Sequence, residues 1–103
     1  IYSEAISRTT AAELTQMMVA NVSNGAASNA RIDGVDVAGK TGTAENGEGD
    51  PYTLWFTGFA PANDPQVAVA VVVQNGAGLG QSGVGNTIAA PIAKRVLEAV
   101  LFR

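Results

Sequence analysis

The stretch Val35-Asp36-Val37-Ala38-Gly39-Lys40-Thr41-Gly42-Thr43-Ala44-Glu45 decides how this 103-residue chain is read. Val35 and Val37 alternate with Asp36 and Ala38, the period of two expected of a strand with one buried face. Lys40 then supplies a compact cation for a carboxylate, and Thr41 and Thr43 add hydroxyls that can donate to the same anion. Gly39 and Gly42 carry no Cβ, so a ligand or a second backbone can come close to the main chain there. At a sheet edge such a strand has free N–H groups. One of them, aimed at a carbonyl oxygen, would stabilise the negative charge that develops in acyl transfer. The tripeptide Lys40-Thr41-Gly42 alone is better explained by a solvated lysine beside a turn. It is the extension from Gly39 to Glu45, following a strand, that points to a site, and a site of this kind needs a nucleophile from elsewhere.

Outward from this strand the pattern predicts helix, three strands, helix. Thr10-Ala11-Ala12-Glu13 reads as a capping box, in which hydroxyl and carboxylate satisfy free backbone donors at a helix start. The helix is predicted over about Thr10 to Asn24, with Leu14, Met17, Met18 and Val22 facing the sheet and Gly25 as its stop. The methionines read as core filler. Asp33-Gly34 marks a turn before a strand over Val35 to Thr43. Glu45 to Pro51 reads as a polar, solvated connection and not as a metal site. A second strand is predicted over Leu54 to Ala60, its aromatics, Trp55 among them, forming core or cleft wall. A third covers Gln66 to Gln74, where Val67, Val69, Val71 and Val73 alternate with Ala68, Ala70 and Val72. Both faces are apolar, the mark of a strand in the middle of a sheet covered on both sides. Proline is tolerated in a first helical turn, so the last helix is predicted from Pro91 to Leu101. Its apolar stripe is Ile92, Val96, Ala99 and Val100, widened by Ala93 and Leu97, with Lys94, Arg95 and Glu98 on a solvated face.

Composition narrows the classes. Hydrophobic residues make up 47% of the chain, ordinary for a globular fold. Six basic residues against nine acidic ones leave a net charge of −3 and no basic cluster to attract nucleic acid. The longest apolar run, Val67 to Val73, is too short to span a bilayer, and the first residues are not signal-like, so any membrane anchor would lie upstream. With no His and no Cys, neither a serine-histidine triad nor a cysteine nucleophile can be built. Gly78-Leu79-Gly80-Gln81-Ser82-Gly83 matches the dinucleotide-binding spacing. That mechanism also requires a second parallel strand ending in an acidic residue about 20 positions further on, and the chain offers none. No cofactor is expected.

Gly39-Lys40-Thr41-Gly42-Thr43-Ala44-Glu45 resembles the third signature of the penicillin-recognising serine acyltransferases, whose set comprises serine-x-x-lysine, serine-x-asparagine and lysine-threonine-glycine. The flanks look most like the class B penicillin-binding proteins. They include the helix with Met17 and Met18, Trp55-Phe56-Thr57-Gly58-Phe59-Ala60-Pro61, the valine strand from Val67, and Ala89-Ala90-Pro91. The similarity runs from about Thr10 to Leu101. The first two signatures are absent: no serine here is followed three positions later by lysine or two positions later by asparagine.

The resemblance implies that residues 1–103 are the C-terminal portion of a transpeptidase domain. Its fold class is α+β: an antiparallel sheet, with three strands here as the last part of five, and helices packed on one face. The implied activity is serine-type D,D-transpeptidation of peptidoglycan stem peptides ending in D-alanyl-D-alanine, blocked by β-lactams. The serine belongs to a missing N-terminal part, so this chain alone is expected to be inactive. Lys40 and Thr43 take catalytic roles by resemblance, and Lys40, Thr41, Gly42 and Thr43 bind substrate. Location on the extracytoplasmic face of a bacterial membrane, through an upstream anchor, is implied as well. A β-lactamase or β-lactam sensor carries the same signature, and a non-catalytic interaction module is the alternative from another class. The exposed edge of the valine strand predicts pairing with a companion chain or a strand-swapped oligomer.

Overall fold

The computed structural model describes residues 3–103. Helix α1 spans Arg8–Asn24, strand β1 Ala38–Ala44, β2 Thr53–Ala60, β3 Val67–Val73 and helix α2 Gly85–Leu101, with short 3₁₀ turns at Ser28–Ala30 and Asn75–Gly78. The strands form one antiparallel sheet in the order β1-β2-β3. Leu54, Phe56, Gly58 and Ala60 of β2 are buried, while Trp55 and Thr57 between them are exposed. Both helices therefore lie on one face of the sheet, the arrangement expected from the sequence. Val22 of α1, Phe56 and Ala60 of β2, and Ala89, Ala90, Ala93 and Leu97 of α2 share the resulting core.

Helix α1 begins one turn before the expected capping box. Ser7 is the N-cap, and its hydroxyl oxygen accepts from the Thr10 N–H at 3.1 Å. A serine three residues before Thr10 offers the same chemistry, and Arg8 and Thr9 are compatible with the added turn. Gly25 ends the helix as expected, its N–H donating to the Asn21 carbonyl. The expected inward stripe holds only at its C-terminal end. Val22 is buried, Met18 is half-buried, and Leu14 and Met17 are exposed, Met17 by 63%. The helix runs along β1, and only its last turns reach the core.

Strand β1 starts at Ala38 rather than Val35. The Asp33-Gly34 turn forms as expected, Gly34 at a φ of 79°, and it closes a single bridge between Ile32 and Val35. Asp36 then gives its carbonyl to the Ala62 N–H at 2.8 Å, so the valines alternate without joining the ladder. Strand β3 meets expectation at its edge and departs from it on one face. It is the last strand of the described sheet, so its outer edge is exposed as expected, but only one face is covered: Val67, Val69, Val71 and Val73 are half-buried under α2, while Ala68, Ala70 and Val72 are exposed. Apolar residues on both faces record what a strand is able to bury. Among the described residues nothing lies over the second face.

Helix α2 begins six residues before Pro91, which sits inside the helix. The missing proline N–H removes one rung of the ladder, at the Thr87 carbonyl. The helix persists because Ala89, Ala90 and Ala93 are fully buried on both sides of the gap. The buried stripe is Ala89, Ala93 and Leu97, whereas Ile92 and Val96 are exposed. Sequence alone favoured the larger side chains. The sheet surface, already filled by Phe56 and Leu54, accepts the smaller ones.

The loop between β3 and α2 carries a run of left-handed residues: Asn75, Gly76, Ala77 and Gly78 have φ of 55°, 55°, 56° and 80°. Ala77 is an exposed residue in a region that disfavours a Cβ by about 1–2 kcal/mol. Ala77→Gly is therefore expected to stabilise the protein by roughly 0.5–1 kcal/mol after the added backbone entropy of glycine is subtracted. A denaturant titration checks this, and a loss of stability would show that Ala77 makes a compensating contact.

Candidate functional site

Strand β1 is an outer strand of the sheet, and its outer edge, unpaired with another strand among the described residues, forms the candidate site. The Gly39 carbonyl is turned out of the ladder and accepts from Asn21 Nδ2 at 2.9 Å. Backbone groups of a strand alternate with period two, so the N–H and C=O of Thr41 and Thr43 are turned out as well. The Thr41 carbonyl accepts from Lys40 Nζ at 2.6 Å, which places the lysine ammonium at this same edge.

The side chains of the motif divide between the two faces. Lys40 is paired with Thr57 and Gly42 with Trp55 on the open face, while Thr41 lies opposite Phe56 and Thr43 opposite Leu54 on the helix side. Lys40 reaches the edge from one face and the threonines from the other. The Thr43 hydroxyl oxygen accepts from the Gly85 N–H at 3.3 Å, which leaves its own proton free for a ligand. The Thr41 hydroxyl points at the Ala26 carbonyl across 3.5 Å, a contact long enough to yield readily to a better acceptor. A carboxylate at this edge would meet one ammonium, two hydroxyls and two outward N–H groups, all of them donors.

Glycines allow the crowding behind the edge. A Cβ on Gly39 would come within 2.5 Å of the Phe56 ring, and one on Gly85 within 2.8 Å of the Trp55 carbonyl and 3.0 Å of the Gly42 carbonyl. The first turn of α2 thus rests directly on β1, bringing the positive end of its dipole close to Thr43. Sequence reasoning passed over Gly85 and Asn21. Gly85 follows the glycine-rich loop and was hidden in it, and Asn21 lies within a helix with no motif around it.

The glycine-rich loop belongs to this neighbourhood. Gly76 donates to the Tyr52 carbonyl at 2.7 Å, Tyr52 donates to the Gly80 carbonyl at 3.1 Å, and Gln81 Nε2 donates to the Asp50 carbonyl at 3.0 Å. It clasps the connection that leaves β1. Because β3 is antiparallel to its neighbour, the Gly78–Gly83 spacing is not part of a strand-helix-strand dinucleotide unit. Trp55 is 45% exposed on the open sheet face, where its Cβ lies 3.3 Å from the Gly42 Cβ position. Among the described residues no group of three or more acidic, histidine or cysteine side chains could hold a metal, and no helix is long and apolar enough to cross a membrane.

An outer strand bearing Lys-Thr-Gly-Thr, backed by two helices on one face, matches known proteins over most of the chain. Residues 2–98 match the penicillin binding protein transpeptidase domain, and the chain belongs to that family. It is 46% identical over 100 residues to the peptidoglycan D,D-transpeptidase PbpA of Mycobacterium tuberculosis, covering 94% of this chain and 20% of that protein. It is 36% identical to the stage V sporulation protein D of Bacillus subtilis, covering 92% of this chain and 15% of the relative. Among solved structures it is similar to penicillin-binding protein A from M. tuberculosis in its ceftriaxone acyl-enzyme complex. The TM-score is 0.86 at 44% identity, covering 97% of this chain and 23% of that one. The chain thus spans about a fifth of the length of the curated relatives it matches.

Proposed function

We propose that this chain is the C-terminal portion of the catalytic domain of a peptidoglycan D,D-transpeptidase, acting on stem peptides that end in D-alanyl-D-alanine. The observation that carries the reading is the β1 edge, where Lys40 Nζ sits 2.6 Å from the Thr41 carbonyl beside the outward backbone of Thr41 and Thr43. The names of the relatives agree with it. In this reading a serine outside the 103 residues attacks the penultimate carbonyl. The oxyanion is held by the Thr43 N–H and the N–H of that serine. The C–N bond then breaks, and the terminal D-alanine leaves with a proton delivered by way of Lys40. An amine of a neighbouring stem attacks the acyl-enzyme and frees the serine. Thr41 and Thr43 hydroxyls hold the substrate carboxylate. β-Lactams enter by the same edge and stay bound as the acyl-enzyme. The site faces the outside of a bacterial membrane, held by a segment upstream of this chain.

The experiment is labelling of the full-length protein by a fluorescent penicillin. Covalent label that unlabelled penicillin competes away supports the reading, and absence of label in folded protein overturns it. The chain by itself is expected to remain unlabelled until the preceding part of the domain is supplied.

The open sheet face supports a companion segment. Trp55, Val72, Ala68 and Ala70 are exposed together on it, and among the described residues no strand pairs with the outer edge of β3. Exposed strand edges beside apolar surface recruit further strands. The isolated chain is expected to self-associate, as an edge-paired or strand-swapped oligomer, where the preceding segment of the domain is not supplied. A monomer by light scattering at ~0.1 mM, a concentration at which such edges usually aggregate, would show that the face and edge need no partner.

A further inference from the structure

We infer that Asn21 is a positioning residue for the β1 edge, an inference that rests on the transpeptidase reading for its activity readout. Its side-chain amide is used at both ends: Nδ2 donates to the Gly39 carbonyl at 2.9 Å, and Oδ1 accepts from the Ala26 N–H at 3.2 Å. Its backbone carbonyl meanwhile accepts from the N–H groups of Gly25 and Ala27, so the residue is anchored where α1 ends. Among the described residues it is the one side chain from outside β1 that bonds to the β1 backbone. The bonded carbonyl belongs to the peptide unit that supplies the Lys40 nitrogen. That unit is pinned from the other side, since the space above the Gly39 Cα is closed by the Phe56 ring.

The consequence follows from strand geometry. Rotation of the Gly39–Lys40 peptide plane would re-aim the Lys40 side chain and, through the strand, the outward N–H groups of Thr41 and Thr43. Loss of the Asn21 bond leaves the edge intact as a strand, with Lys40 still paired to Thr57, but removes one of the restraints against that rotation. Asn21, Gly39 and Lys40 line one groove with Leu14, Met17 and Met18, and Lys40 is the only titratable group among them. An aspartate at position 21 is therefore an informative replacement. Ionised, it still accepts from Ala26 but has no proton for the Gly39 carbonyl. Protonated, it can donate again.

The test uses the full-length protein and resolves acylation by a fluorescent penicillin into binding and chemical steps. Asn21→Leu and Asn21→Asp are expected to slow the chemical step by on the order of tenfold to a hundredfold, the scale at which small misplacements act, with binding little changed. Relative to wild type at the same pH, Asn21→Asp should begin to recover only as the pH falls to ~4, where an aspartate carboxyl ordinarily takes up a proton, whereas Asn21→Leu should not. Leu97→Ala, buried far along α2, serves as the stability control and should lower the melting temperature without slowing acylation. Wild-type rates in both Asn21 variants, or a loss reproduced by Leu97→Ala, would overturn the inference.

A second readout is independent of activity. With ¹³C-carbonyl glycine and ¹⁵N-lysine, the Gly39–Lys40 pair, the only Gly-Lys in this chain, reports the bonded carbonyl and is assigned by its loss in Lys40→Arg. The carbonyl shift should move in Asn21→Leu, and an unmoved shift overturns the inference even in a protein that penicillin does not label. Wild type that takes no label, together with a shift that moves, rejects the transpeptidase reading and retains the positioning role.

Discussion

Lys40→Ala is expected to slow acylation of the full-length protein by a fluorescent penicillin by about 10²- to 10⁴-fold, the usual range for removing a group that moves or stabilises a proton in the transition state. The ammonium sits at the outer edge of β1, bonded to the Thr41 carbonyl, so its loss removes the one cation that, among the described residues, lies beside the outward N–H groups of Thr41 and Thr43. Folding should be nearly unaffected, because Lys40 is exposed and, among the described residues, its side chain bonds only to the carbonyl of the next residue. Lys94 is the control. It pairs with Glu98 on the outer face of α2 at 3.7 Å, and Lys94→Ala should leave acylation within about twofold, as surface changes remote from a site usually do. Equal labelling of wild type and Lys40→Ala would remove the lysine from the mechanism.

Phe56→Ala is expected to cost about 3–5 kcal/mol of stability, the range for truncating a buried aromatic. That is a large share of the total of about 5–15 kcal/mol that holds a typical domain together. Phe56 is 1% exposed and lies between the sheet and both helices, against Gly39 and Gly58 of its own sheet. A Cβ at Gly39 would stand 2.5 Å from the Phe56 ring and 3.1 Å from Val22, whereas one at Gly58 would stand 2.5 Å from the Ala38 carbonyl oxygen. The two glycines should therefore behave differently in double mutants. Phe56→Ala should absorb much of the cost of Gly39→Ala, because the obstacle is the ring itself. It should absorb less of the cost of Gly58→Ala, because there the Ala38 carbonyl oxygen at 2.5 Å remains after the ring, at 2.9 Å, is removed. Chemical denaturation of the single and double variants measures both couplings, and additive losses for Gly39 and Phe56 would show that the ring does not fill the space above Gly39.

The sequence by itself determined the α+β class, the three strands and the motif strand. Period-two alternation and turn chemistry are local, and β2 and β3 obey them to within one residue of their ends. The Lys40–Thr43 segment was legible for the same reason: its residue types and spacing already specify an edge lined with donors. Tertiary structure decided which apolar residues are inside. On α2 two stripes one residue apart were both apolar, and the choice of Ala89, Ala93 and Leu97 over Ile92 and Val96 depended on how closely the helix can approach Phe56. The early start of α2 followed from the same packing, which holds the helix across Pro91. On α1 the helical period was right, but only Val22 reaches the core, because the helix lies along the strand edge. The placement of Asn21 at the Gly39 carbonyl, 18 residues away in sequence, has no local signature at all. A hydrogen bond between distant segments exists only once packing has fixed both of them, and periodicity along one segment carries no information about where the other will lie.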